Sequence, residues 1–358
     1  MRYQIYGLCL RSNVALPGLA RAARGQPVDI TFELCSLGLD GATPNSAGGL
    51  SMEAPPSGRA VEFRRLADAY LLRFRPELDF WVSHRGDRVV CYQRQPVALE
   101  LVRLVLLGWV ASLVLSLRCV GGLHASTALV GGKAVGFVGA SGAGKSTLAA
   151  ALGMAGHPVL GDEMLAFEAR GGSIRVQRGP TEVRLAREPA LRLAETFGYR
   201  DVSLRESGEK VALALGAPLA GLPPGGAPLG GLYILAAGPA SGNAPVVVAP
   251  LDPKEAPGVL LEYTFALAKA SAEFLAGQFA LLCRLASRVP VRWLRYPRDI
   301  SQLPRVVDAV LAHEAAGDPS PPSGGTGGRV GAGAGLDTGA RAGYPKGNAS
   351  PSPTPPRR

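Results

Sequence analysis

Eight consecutive residues, Gly139-Ala140-Ser141-Gly142-Ala143-Gly144-Lys145-Ser146, constrain this chain more than any other feature. They fit the pattern GxxxxGK[ST], which makes physical demands on its surroundings. The glycines let the backbone turn tightly, so that its N–H groups converge on phosphate oxygens. A helix that opens at the end of the loop adds the positive end of its dipole. Lys145 then reaches the β- and γ-phosphates of ATP as a point charge, and the Ser146 hydroxyl ligates Mg²⁺. The loop must therefore leave a buried strand and open a helix. Both neighbours are legible. Ala134-Val135-Gly136-Phe137-Val138 is a short apolar run that reads as a strand, and Lys145 to Ala155 is rich in Ala and Leu and reads as a helix. The nucleotide-binding segment thus runs from Gly139 to Ser146 and takes in the adjoining Thr147. Lysine occurs only at positions 133, 145, 210, 254, 269 and 346, which makes a chance match rare.

The chemistry expected next to such a loop needs carboxylates. The helix should end near Gly156, and Gly156-His157-Pro158 reads as a turn. Pro158-Val159-Leu160 then reads as a short strand that delivers Gly161-Asp162-Glu163. Phosphoryl transfer calls for one carboxylate that supports the metal and, in kinases, one that takes the acceptor hydroxyl's proton. Two adjacent acids could divide these roles; the alternative is a solvated turn.

A histidine enters by counting. Ala125 to Val130 reads as an apolar strand, and Gly131-Gly132 is a hairpin turn signal. With those two glycines as the turn, Val130 faces Lys133, and His124 faces Gly139 at the start of the phosphate loop. His124 is therefore a site candidate, the alternative being a capping or core histidine. Arg184 and Lys210 are further candidates for phosphate or an acidic substrate, although solvated Arg and Lys are common.

Residues 1–98 read as short strands at Tyr3–Leu10, Val28–Glu33, Tyr70–Phe74 and Val89–Tyr92, with spacers such as Ala54-Pro55-Pro56-Ser57-Gly58, and predict a small, mostly β domain. An apolar helix is expected over Pro96–Leu117. Its most apolar part, Leu104–Leu117, is short for a membrane span and flanked by Arg103 and Arg118, so it reads as a core helix. A Gly/Pro loop is expected at Gly221–Gly231, strands at Leu232–Ala236 and Pro245–Ala249, helices at Glu255–Ser287 and Leu303–Ala315, and an extended piece at Val291–Tyr296. From about residue 316 to Arg358 the composition turns to Gly, Pro, Ser and Ala. Such a segment buries too little to offset its ordering entropy and is expected to be disordered.

The formal net charge of +10 comes mostly from scattered arginine, without a basic cluster interleaved with aromatics, so no nucleic-acid partner is expected. Five cysteines without CxxC or Cys/His clustering argue against a disulfide framework or a zinc site. The cytoplasm is the expected compartment, with no membrane partner.

"LHAS" (Leu123–Ser126), "GASGAGKSTL" (Gly139–Leu148) and "HPVLGDE" (His157–Glu163) together resemble the catalytic domain of HPr serine kinase/phosphorylase and its relatives, a domain related to ATP-dependent phosphoenolpyruvate carboxykinase. Looser likeness runs through Tyr6–Leu19, Val183–Leu193, Gly208–Lys210, Leu229–Leu235 and Val289–Pro304. The resemblance is to the HPr-kinase-like proteins of peptide natural-product clusters, some similar to the kinases of lasso-peptide precursors. It implies an α/β fold: a P-loop kinase domain with a mixed sheet over residues 99–315, behind the small β-rich domain. It also implies an ATP- and Mg²⁺-dependent kinase acting on a serine of a peptide or small protein. His124 would orient the acceptor, Asp162 would be the general base, and Ser146 and Glu163 would serve the metal. Members commonly carry two aspartates where this chain has Asp162-Glu163. The glycine-rich "GIID"-type motif of the HPr kinases proper has no counterpart here, so HPr as acceptor and the reverse phosphorolysis are not expected. A homo-oligomer is compatible with the sequence. A non-catalytic, ATP-dependent binding module and a kinase for a small-molecule hydroxyl are the alternatives.

Overall fold

The computed structural model describes residues 1–36, 50–53, 60–74, 76–200, 203–207, 210–215, 225–236, 238, 244–265 and 272–316. The expected spacer at 54–58, the first part of the Gly/Pro loop (221–224) and the C-terminal tail (317–358) lie outside them. Met1–Asp318 forms one compact unit of mixed α/β architecture.

The chain opens with β1 (Arg2–Ile5) and β2 (Leu8–Ser12), an antiparallel hairpin that pairs Ile5 with Leu8. Its turn residues, Tyr6 and Gly7, have φ of 49° and 81°. A two-residue turn with both φ positive matches the twist of the flanking strands. The run Tyr3–Leu10 is thus two strands, not one. Gly7 is the only local sign of the turn, because Tyr6 adopts a conformation uncommon for a residue with a Cβ. Long-range contacts hold it there: its N–H donates to the Arg178 carbonyl (2.7 Å) and its hydroxyl to the Leu107 carbonyl (3.1 Å).

β3 (Ile30–Ser36), β4 (Leu50–Glu53), β5 (Ala60–Arg65), β6 (Ala69–Phe74), β7 (Leu78–Ser83) and β8 (Arg88–Gln93) complete the sheet, in the order β1-β2-β3-β8-β7-β6-β5-β4. Alternation places Phe32, Leu72, Phe80 and Val82 in its core. That core is closed by a helix in three parts: α1 (Leu99–Val105), a π turn (Leu106–Val110) and α2 (Ala111–Leu117). The helix begins three residues later than Pro96, the expected start. It spans Leu99–Leu117, 19 residues, long and apolar enough to cross a membrane by length and composition, which corrects the shorter stretch read from the sequence. More than half of it is buried within the protein. Arg103, next to the most apolar stretch, is buried and ion-paired within the helix.

The second sheet carries the glycine-rich loop Gly139–Ser146. β9 (Gly121–Leu123), β10 (Ala125–Val130), β11 (Lys133–Val138), β12 (Val159–Gly161), β13 (Leu165–Arg170) and β14 (Ser173–Gln177) join it, with α3 (Lys145–Met154) between β11 and β12. Later come a small sheet of β15 (Val183–Leu185), β16 (Ser203–Ser207) and β17 (Lys210–Ala214), and the helix α4 (Arg187–Thr196). β18 (Ala227–Leu235), β19 (Val247–Pro250) and β20 (Val291–Arg295) return to the large sheet, where β18 pairs in parallel with β11 and β20. α5 (Ala256–Leu261), α6 (Ala272–Ala286) and α7 (Leu303–Ala316) complete the described elements. One continuous helix was expected over Glu255–Ser287; a turn at Glu262–Tyr263 ends α5 instead.

The expected Gly/Pro loop is overturned from Ala227 onward, where β18 has already begun. Its glycines serve close approach. A Cβ on Gly231 would stand 2.8 Å from side-chain atoms of both Arg292 and Glu314. Glycine in a strand interior marks such crowding as readily as a loop. α3, α4 and α7 share one apolar core around Phe137 and Tyr233, and α5 and α6 share another around Leu165 and Leu232.

Candidate functional site

The β10–β11 hairpin turns at Gly131 and Gly132, φ 55° and 80°, and its register runs from Val130–Lys133 out to Ala125–Val138. The ladder ends one pair short of His124 and Gly139, the residues that directly precede Ala125 and follow Val138 in the chain. β10 is sandwiched between β11, which leads into the phosphate loop, and β12, which delivers Asp162. Three consecutive pieces of backbone therefore converge at one end of the sheet.

After Val138 the chain enters the loop. Gly142 and Gly144 have φ of 75° and 100°, in the left-handed region that favours glycine. Gly144 is also crowded, since a Cβ there would stand 3.0 Å from the Tyr296 hydroxyl. Ala140, Ser141 and Gly142 are exposed at the crest, whereas α3 below is buried along Leu148 to Leu152. The small residues Ala149, Ala150 and Ala151 let this helix pack closely while its N-terminus faces the loop. Ser146 and Thr147 in its first turn are half-buried.

Lys145 is buried, and its Nζ donates to the carbonyls of Gly139 (2.9 Å) and Ala140 (3.1 Å). Burial lowers its pKa, the charges of Glu163 and Asp162 oppose that, and Lys210 adds a smaller lowering effect. Lys210 thus contributes positive potential to the same site.

Asp162 is 3 % exposed and accepts three hydrogen bonds. Its Oδ1 accepts from the Ser126 hydroxyl (2.5 Å) and from the Ser146 hydroxyl (3.0 Å). Its Oδ2 accepts from the Arg184 backbone N–H at 3.1 Å. Burial raises its pKa above the ordinary carboxylate range, Glu163 adds to that, and the three donors pull it back. Glu163 sits differently. Its backbone φ is 74° and its side chain is 38 % exposed, with Oε2 3.7 Å from His124 Nδ1 and Oε1 3.7 Å from Arg184 NH1.

His124 Nδ1 lies 2.9 Å from the Glu163 carbonyl oxygen, which makes the ring a donor at Nδ1 in its neutral form. Its backbone N–H donates to the Tyr263 carbonyl (2.7 Å), and Phe265 packs edge-on at 5.9 Å. Desolvation is the leading cause that lowers the His124 pKa, followed by the charge of Lys145; Glu163 and Asp162 oppose them. The side chain keeps over a third of its surface, which screens the charge but leaves Nδ1 turned inward. An NMR titration of the His124 ring is expected to give a pKa below the ordinary ~6.5. The unfolded chain then binds the proton more readily, so this group's contribution to stability is full above ~6.5 and falls as pH drops from there through the folded pKa. A ring pKa above ~6.5 would contradict this account of its surroundings.

The structure therefore brings His124, Lys145, Ser146, Asp162, Glu163 and Arg184 together. It also supplies residues that sequence reasoning missed. Ser126 carried a visible signal, the "S" of LHAS beside His124. The Arg184 backbone N–H carried none, because any residue at that position offers the same group. Tyr296 and Arg298 follow β20 and reach the outer side of the loop, where Arg298 donates to the Gly142 carbonyl at 3.4 Å. Burial pushes the Tyr296 hydroxyl up to about 12. Tyr6 reaches the site from below: burial and then the charges of Glu163 and Asp162 raise its pKa.

Among the described residues no group of three or more His, Cys, Asp or Glu side chains forms a metal cage. Mg²⁺ in nucleotide sites does not need one, because phosphates and water complete its shell around one or two protein ligands. A hydroxyl and a carboxylate meeting at 3.0 Å, Ser146 with Asp162, suit that requirement.

No family model matches this chain, and no curated protein matches it. Among solved structures, the HPr(Ser) kinase/phosphatase from Coxiella burnetii is similar over 55 % of this chain and 99 % of its own, at 12 % identity and a TM-score of 0.27. A likeness at that TM-score decides neither fold nor activity.

Proposed function

We propose that this protein is an ATP-dependent phosphotransferase of the HPr-kinase-like P-loop type, moving the γ-phosphoryl group to the hydroxyl of a serine in a peptide or small protein. The observation that carries the reading is the contact between Ser146 and Asp162. It ties the last residue of the GxxxxGKS loop to a buried carboxylate just after β12, the next strand in the chain. Phosphate binding alone needs the loop; a carboxylate fixed on its serine is what metal-assisted transfer adds.

In this reading the backbone amides from Gly139 to Thr147 and the Lys145 ammonium hold the β- and γ-phosphates. They meet the charge that develops as the γ-phosphoryl group moves. Ser146 and the carboxylate beside it would hold Mg²⁺, which would supply positive charge against the phosphates. Arg184, Lys210 and Arg298 add positive charge around the opening. His124 and the half-buried Glu163 face the space where an acceptor would enter. A lasso-type precursor peptide is one acceptor of the proposed class, and the segment after α5 (Tyr263 to Phe265) would form one wall of its entry.

The test is transfer of label from γ-labelled ATP, with Mg²⁺, to a panel of serine-bearing acceptors: precursor peptides, small proteins and hydroxylated small molecules. Label on a serine, absent with Lys145→Ala, supports the proposal. Label on small molecules alone reassigns the acceptor class. ATP binding with no transfer to any acceptor favours a nucleotide-dependent binding module.

A further inference from the structure

Resting on that phosphotransferase reading, we infer that the two adjacent carboxylates divide their work in the opposite sense to the one the family resemblance implies. Asp162 is the metal-side carboxylate, and Glu163 takes the proton of the acceptor hydroxyl.

Three observations point this way. The first is occupancy. A carboxylate offers about four lone-pair sites. Asp162 commits three of them to Ser126, Ser146 and the Arg184 amide, and it is only 3 % exposed. A proton acceptor for an incoming hydroxyl needs a lone pair that the hydroxyl can approach, within about 2.6–3.2 Å. Asp162 is enclosed by its own donors.

The second is direction. One donor to Asp162 is the Ser146 hydroxyl, the motif's own Mg²⁺ ligand. A carboxylate that orients this hydroxyl occupies the metal's side of the site, and Ser126 on β10 braces it from behind.

The third is the backbone. Glu163 has a φ of 74°, a left-handed conformation disfavoured for a residue with a Cβ. No glycine replaces it. Strain of this kind concentrates at functional positions. Here it accompanies a sharp divergence between neighbours: Asp162 is buried, whereas the Glu163 carboxylate is 38 % exposed between His124 and Arg184. Those two flank it at 3.7 Å each and leave part of its surface open.

The step balances simply. The acceptor O–H bond breaks and its proton passes to a Glu163 carboxylate oxygen. The acceptor oxygen's electron pair forms the new bond to the γ-phosphorus. The bond from that phosphorus to the bridging oxygen breaks, and its electron pair leaves with ADP. The proton then passes from Glu163 to water. His124, bonded through Nδ1 to the Glu163 carbonyl, is a positioning residue for this group.

The experiment measures binding of β,γ-imido-ATP to the full chain with and without millimolar MgCl₂, for wild type, Asp162→Asn and Glu163→Gln. Wild type and E163Q are expected to bind about tenfold more tightly with Mg²⁺, and D162N to lose most of that gain. With the acceptor found in the transfer assay, E163Q is expected to keep its KM for ATP and lose about 10²–10⁴-fold in kcat. Loss of the Mg²⁺ effect in E163Q, or wild-type kcat in E163Q, overturns the assignment. E163Q decides the matter even if D162N fails to fold. Failure of the wild type itself to bind the analogue is a different result, because it removes the phosphotransferase reading on which the assignment rests.

Discussion

Replacing Lys145 with alanine is expected to lower phosphoryl transfer by about 10²–10³-fold, the loss typical when one preorganised donor is removed from a charged transition state. Three features concentrate the effect on this side chain. Lys145 is buried at the foot of the loop, so its charge acts through little water. Its Nζ already sits within 3.1 Å of two loop carbonyls, Gly139 and Ala140, and needs only a short swing to meet phosphate. The other cations, Arg184, Lys210 and Arg298, reach the opening from other elements and cannot replace a charge inside the loop. Arginine in its place would bring a bulkier, planar group and is expected to rescue little. The check is a rate measurement on both variants, with circular dichroism to confirm the fold. Wild-type rates in Lys145→Ala would place the chemistry elsewhere.

The second large effect lies away from the phosphates. Arg103→Met is expected to destabilise the fold by about 2–3 kcal/mol, below the 3–5 typical of breaking a fully buried pair because its partners are partly solvated. Arg103 is 3 % exposed within the first helix. It binds Glu100 (3.0 Å) and Glu182 (2.7 Å), and Arg205 on β16 binds the same two carboxylates at 3.2 and 2.8 Å. The four charges form a closed ring that links the N-terminal helix to the strand carrying Arg184. Gly18 completes the fit: a Cβ there would stand 2.3 Å from Glu182 Oε2 and 2.7 Å from Arg103 NH2. Removing Arg103 leaves two carboxylates with one cation. Urea denaturation should show the midpoint falling with little change in slope. The double variant with Glu182→Gln should lose less than the sum of the singles, since the pair is coupled. Unchanged stability in Arg103→Met would show the ring to be ornamental.

That ring also shows where sequence reading stops. The phosphate loop, its strand, its helix and the hairpin before it were legible because each is local. Val130 and Lys133 flank two glycines, and counting outward from them gives the register as far as Ala125 and Val138. Asp162 was legible because it ends a strand one helix away from the loop. The partners that define its role were not, because Ser126 and the Arg184 amide arrive from β10 and β15 through the topology of the sheet. Arg103 read only as the residue flanking an apolar stretch because one of its two acidic partners, Glu182, stands 79 positions further on. Gly230 and Gly231 read as loop residues because glycine signals turn and close packing with the same letter. Tyr6 in the β1–β2 turn was hidden for a similar reason: contacts with Arg178 and Leu107, rather than local preference, hold its backbone left-handed.

In the proposed reading the loop from Gly139 to Ser146 binds nucleotide through its phosphates. Calorimetric titration of the full chain with ATP, ADP and AMP tests it most directly. ATP and ADP are expected to bind, AMP to bind at least about tenfold more weakly for want of the β-phosphate contacts, and Lys145→Ala to erase the difference. Equal affinity for all three nucleotides, or no binding of ATP, would contradict it.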